Sequence, residues 1–143
     1  MAHDLHTLLS IIDADHNRID ALTARTSRLF VAAQDTTPAR DEIRTILYDA
    51  MKLYLKHFMH EHEAMHQIAA PRAYIEAHAA EHDHLMAQLR IATERFQADA
   101  MAGEILADLA LIHSAFERHR ATADADLYRY LRAAIDLPAP VAR

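Results

Sequence analysis

The stretch Thr37-Pro38-Ala39-Arg40-Asp41-Glu42-Ile43-Arg44-Thr45-Ile46-Leu47-Tyr48-Asp49-Ala50-Met51-Lys52-Leu53-Tyr54-Leu55-Lys56-His57-Phe58-Met59-His60-Glu61 decides how this chain folds. Thr37 reads as a helix N-cap with Pro38 at the first helical position, where a missing N–H leaves nothing unsatisfied. From there Ile43, Leu47, Ala50, Tyr54, His57, Glu61 and Ile68 recur at helical spacing on one face, and the pattern runs to about Ala69. A long helix follows, with a histidine and a glutamate set into its apolar stripe.

The same spacing extends outward in both directions. Upstream, a block from about Asp4 to Ala33 places Leu5, Leu9, Ile12, His16 and Ile19 on one face, and Gln34-Asp35-Thr36-Thr37-Pro38 ends it. Downstream, Pro71 opens a third helix with the face Ile75, His78, His82, Leu85, Leu89 and Phe96. The chain turns near Met101-Ala102-Gly103, and a fourth helix carries Ile105, Leu109, Ile112, Phe116, His119, Leu127 and Leu131. The run Leu137-Pro138-Ala139-Pro140 cannot continue it. Residues 1–136 thus read as one helical domain and 137–143 as a tail. Connections this short favour antiparallel neighbours, so the expected fold is all-α, an up-down-up-down antiparallel four-helix bundle with a metal site in its core. A single glycine, Gly103, in 143 residues agrees, because tight sheet turns need more.

Composition narrows the chemistry. There is no cysteine, so any metal must be held by nitrogen and oxygen. A formal charge of −6 argues against a nucleic-acid partner. No stretch approaches the roughly 20 apolar residues of a membrane span, and Met1-Ala2-His3-Asp4 lacks the basic region of a signal peptide. A soluble cytoplasmic protein is the expectation; the oligomeric state stays open.

Twelve histidines remain to be explained. His57 and Glu61 are one turn apart on helix two, and His78 and His82 are one turn apart on helix three. His16 interrupts the stripe of helix one, and His119 that of helix four. One such histidine is ordinarily a hydrogen-bonded core residue. Five imidazoles and a carboxylate buried without a metal would leave several polar groups unpaired, at roughly 1–3 kcal/mol each. Imidazole with carboxylate suits iron or zinc. The heights agree: His57 and Glu61 stand about 10–14 residues before Pro71, and His78 and His82 about 7–11 after it.

The strings Ile12-Asp13-Ala14-Asp15-His16, His57-Phe58-Met59-His60-Glu61, Met65, Tyr74, His78-Ala79-Ala80-Glu81-His82 and His119-Arg120-Ala121-Thr122-Ala123-Asp124 together resemble the hemerythrin family. The resemblance runs from about Ile12 to Leu131. It implies two iron ions sharing an oxo or hydroxo bridge. His78, His82 and His119 would hold one iron, His16 and His57 the other, and Glu61 and Asp124 would bridge them. The two-histidine iron keeps an open position, where dioxygen binds reversibly. Asp124 lies about 140° around an ideal helix from His119, whereas Asp126 is nearly in line. The family pattern selects Asp124, and a π-bulge would bring it into register.

Two departures stand out. Many hemerythrins carry a tryptophan shortly before the fourth-helix histidine; here Ala115 and Phe116 stand there, implying a looser pocket wall. The position after Glu61 is His62, where many relatives have an acid. Tyr54 faces inward as a core aromatic near the site, and His60, His62, His66 and His84 read as mostly exposed. The resemblance favours an oxygen-binding protein over an enzyme, for storage, delivery or sensing. The alternatives are a di-iron enzyme acting on peroxide or nitric oxide, and a His-rich metal-buffering bundle.

Overall fold

The computed structural model describes residues 3–32 and 34–136, and every regular element among them is helical. These are α1 (Leu5–Ala32), α2 (Thr37–Gln67), α3 (Arg72–Gln97) and α4 (Ala102–His119), which passes through a π-turn (Arg120–Asp124) into α5 (Ala125–Asp136). The tail read at 137–143 lies outside the described residues.

The boundaries differ from expectation in two places. The N-cap of α2 is Thr36, not Thr37. Its extended backbone lets the side chain accept from the Ala39 N–H at 3.2 Å, and the Arg40 N–H already bonds to the Thr36 carbonyl. The sole glycine makes no turn. Gly103 lies in the first turn of α4 with nothing within 4 Å of where a Cβ would stand. The left-handed positions belong instead to Ala69 (φ 50°) and Asp99 (φ 64°), each just beyond a helix C-terminus. A short polar side chain tolerates that conformation at Asp99; Ala69 carries its steric cost.

Helix α1 packs against α2 and α4, and α3 against the same two. Ion pairs tie the flanks, Arg25 reaching Glu42 at 2.6 Å and Asp49 at 3.0 Å and Arg120 meeting Asp20 at 2.8 Å, and the His3 N–H donates to Glu63 at 2.7 Å. The apolar interior falls into two separate blocks. The larger includes Ile19, Leu22, Ile43, Leu47, Tyr54, Phe58, Leu89, Leu109 and Phe116. The smaller holds Leu8, Ile12, Ala64, Met65, Leu127 and Leu131. Among the described residues no helix is long and apolar enough to cross a membrane.

Candidate metal centre

Between the two apolar blocks lies a buried polar layer. His16, His57, Glu61, His78, His82, His119 and Asp124 are each at most 4% exposed. Glu61, His78, His82, His119 and Asp124 bring ligand atoms within 4.8 Å of one another, as do His16, His57 and Asp124. All seven residues that the sequence singles out therefore meet, from all four long helices and the π-turn.

Local geometry explains how each arrives. His57 with Glu61, and His78 with His82, use one helical turn to aim two groups inward. Asp124 needs more. In the π-turn the backbone takes an extra residue per turn, so Asp124 comes round beneath His119, with Oδ1 2.9 Å from His119 Nε2. Asp126, half a turn on, pairs instead with Arg129 at the surface.

The ring orientations are uniform. Five Nε2 atoms point into the layer and five Nδ1 atoms point out to partners. Tyr128 donates its hydroxyl hydrogen to Asp13 at 2.6 Å, so the His16 Nδ1–H donates to the Tyr128 oxygen at 3.2 Å. Tyr74 donates to the Ala123 carbonyl at 2.6 Å, so the His78 Nδ1–H donates to Tyr74 at 3.0 Å. His57 Nδ1 faces Asp15 at 3.4 Å, His119 Nδ1 bonds Glu81, and His82 Nδ1 faces His62 Nε2 at 3.2 Å. An outer partner on Nδ1 fixes the tautomer that leaves the Nε2 lone pair free for a metal.

Facing inward, the carboxylates stand between two sets of imidazoles. Asp124 Oδ2 is 3.6 Å from His16 and 3.8 Å from His57, while its Oδ1 is 3.1 Å from His78 and 2.9 Å from His119. Glu61 Oε1 lies 2.8 Å from His57 and 3.5 Å from His82, and Oε2 lies 3.2 Å from His78. Donors about 2.1 Å from one ion sit about 3 Å from each other along an octahedral edge, which the four separations of 2.8, 2.9, 3.1 and 3.2 Å match, while the other three are longer. The short contacts are not aligned as hydrogen bonds. Among the described residues the buried side-chain atoms left without a partner are His16 Nε2, His57 Nε2, His78 Nε2 and both oxygens of Glu61 and Asp124. All seven lie in this layer. Orphaned ligand atoms that converge from α1, α2, α3 and the π-turn fit a metal cage, so the cluster could hold metal ions.

Electrostatics says the same. Burial opposes ionising Glu61, but His57, His78 and His82 outweigh it and hold its carboxyl down to about 2. Asp124 is likewise held well below the carboxylate range by His119, His16, His57 and His78 against its burial. Burial also opposes a charge on His57, yet Glu61, Asp124 and Asp15 raise it to about 11. Burial, with His78 and His119 alongside, pushes His82 down to about 4 despite Glu61. Two buried negative charges thus require positive charge nearby, which protons on imidazole or a metal ion can supply.

Several residues of the site were not legible as such. Asp15, Glu81 and Tyr128 contact the rings only because distant helices meet, whereas Tyr74 reaches His78 one turn along α3. His60 and His62 are partly buried rather than mostly exposed: His60 Nδ1 lies 2.7 Å from Asp15, and His62 faces His82. His66 and His84 are exposed. A sixth buried imidazole, His113, was missed altogether; it is 3% exposed and takes no part in the layer. Phe116, 1% exposed, stands 5.7 Å from the His57 ring and 6.3 Å from His16. Ala115 and His119 both line a surface groove of about 410 Å³.

The chain matches no protein-family model, no curated protein and no solved structure.

Proposed function

We propose that this chain is a hemerythrin-like protein, an up-down-up-down antiparallel bundle that binds dioxygen reversibly at two irons sharing an oxo or hydroxo bridge. The observation that carries the reading is the position of Asp124, with one oxygen turned to His16 and His57 and the other to His78 and His119. A carboxylate so placed serves two ions. The ion pairs from late α1 to early α2 support antiparallel neighbours.

Donor count favours iron. With both carboxylates shared, His78, His82 and His119 complete five protein donors for one ion, and His16 and His57 complete four for the other. Zinc in protein sites is content with four; the higher count suits iron, and the poorer ion keeps room for an exogenous ligand. An iron pair supplies the two electrons that dioxygen takes up. The chain orients the imidazoles through their Nδ1 partners, and Phe116 excludes water beside His16 and His57.

The test is metal analysis of protein expressed with iron, then anaerobic reduction, air exposure and argon purging under visible absorption. Two irons per chain and a band that appears in air and fades on purging are expected. One iron, full zinc occupancy, or no reversible band would overturn the reading. The peroxide or nitric oxide alternative is favoured by one feature, a hydrogen-bonded phenol one turn before His57.

A further inference from the structure

Tyr54 is fully buried, and its hydroxyl oxygen lies 2.6 Å from Nδ1 of His113 on α4. The neighbouring bonds fix which atom holds which proton. Thr26 on α1 gives its hydroxyl hydrogen to the Leu22 carbonyl at 2.9 Å, so toward His113 Nε2, 3.2 Å away, it can only accept. His113 therefore carries its hydrogen on Nε2, and Nδ1 is a lone pair that accepts the Tyr54 O–H. Among the described residues no carboxylate is hydrogen-bonded to either group. Glu117 lines a groove together with His113, and Glu117 and Asp20 are the negative charges that, after burial, help keep the Tyr54 phenol protonated.

The other side of the phenol faces the polar layer through aromatic rings. Tyr54 stacks on Phe58 at 6.0 Å between centroids and 11° between planes. Phe58 stacks on His82 at 3.8 Å and 10°. Phe116 is 4.9 Å from Tyr54 and 5.7 Å from His57. A phenol in a dry core cannot lose an electron alone, because the radical cation left behind is strongly acidic and needs a base in place. Here the base is already hydrogen-bonded, and the electron has a ring-to-ring path to His82.

We propose that Tyr54 is a redox-active residue that gives an electron to the metal centre through Phe58 while its phenolic proton passes to His113 Nδ1. The Tyr54 O–H bond breaks, an N–H bond forms on His113, and Tyr54 becomes a neutral phenoxyl radical held by the same hydrogen bond reversed. The oxidant is hydrogen peroxide. Reducing one peroxide to two waters takes two electrons and two protons: one electron leaves Tyr54 and one leaves the metal pair. Both protons come from solvent, because the phenolic proton stays on His113. The electron acceptor rests on the reading of the buried layer as a metal site; the Tyr54–His113 pair does not.

Two arms separate those dependences. In the first, the metal-free full-length protein is oxidised by flash-excited ruthenium tris-bipyridine with persulfate and followed by electron paramagnetic resonance. A tyrosyl signal outlasting that of the exposed tyrosines is expected. It should be absent in Tyr54→Phe and shortened at least tenfold in His113→Leu, with His113→Gln as a second variant should leucine fail to fold. No long-lived signal, or one that survives Tyr54→Phe, overturns the pair. In the second, iron-loaded protein is freeze-quenched after peroxide, with iron content measured on every variant. The same Tyr54-dependent signal supports electron donation to the centre. Its absence from protein that holds iron overturns donation while leaving the metal reading intact, whereas failure to hold iron at all overturns the metal reading and donation together.

Discussion

His16 is the one imidazole that α1 brings to the layer, and its Nε2 has no other partner. Replacing it with alanine removes one donor from the two-histidine side and none from His78, His82 and His119. The expected outcome is loss of about half the bound metal with helicity kept, checked by metal analysis and circular dichroism. Loss of all metal together with collapse of the helices would show that the seven residues act as one indivisible cage. A second residue, His113, links stability to pH. Burial pushes it down to about 4 in the folded chain, against about 6.5 unfolded. Between those values the unfolded chain binds more protons, so the contribution is complete above pH 6.5 and is lost as pH falls toward 4, on the order of 3 kcal/mol. The groups facing it, Tyr54 on α2, Thr26 on α1 and Glu117 on its own helix, leave that sign unchanged. Urea unfolding at pH 7.5 and pH 5 should show a smaller acid loss in His113→Gln than in the parent. Five ligand-type histidines and Glu61 were legible because each interrupts an apolar stripe. His113 was not, since it sits one residue beside the stripe at Ile112, and only the pairing of α4 with α1 and α2 buries it.

At the scale of elements, the π-turn is the least regular feature of the backbone and the one that delivers Asp124. It was anticipated from an awkward angle between His119 and Asp124, which is how a local insertion announces itself in a sequence. An inserted residue can also be taken out. Deleting exposed Ala121 turns the five-residue step from His119 to Asp124 into a four-residue step, which an ordinary α-helix puts on one face. Metal content should therefore survive this deletion, whereas deleting Ser114 within α4 rotates everything downstream by about 100° and should abolish binding. Loss of metal in the Ala121 deletion would mean that the π-turn does more than restore register. The breaks between helices fall close to where the sequence puts them, but the only glycine, which seemed the natural place to bend, lies inside the first turn of α4. Ala69 takes the left-handed conformation without a glycine's freedom. Ala69→Gly should raise Tm by about 2–4 °C, relief of roughly 1 kcal/mol. Gly103→Ala, with open space for the new methyl, should raise it by a similar or smaller amount. Thermal melts of the two single variants check both.

For the whole molecule, the arrangement of polar and apolar layers sets how it comes apart. The buried carboxylates and imidazoles form a partition between a large apolar block and a small one at the opposite end. Ions bound there would together clamp that partition from all four long helices; without them, the partition holds seven orphaned atoms and little cohesion. The two ends then need not open together. In metal-free protein the amides around Leu8, Met65 and Leu127 should exchange with deuterium as one group, faster than those around Ile43, Leu89 and Leu109, by a sub-global opening that leaves the larger end folded. Loading metal should merge the two groups into a single slow class. A uniform exchange rate along the metal-free chain would mean that the ends are joined by contacts other than the layer between them. On this picture, the same seven side chains that shape a pocket also decide whether the bundle behaves as one cooperative body or as two.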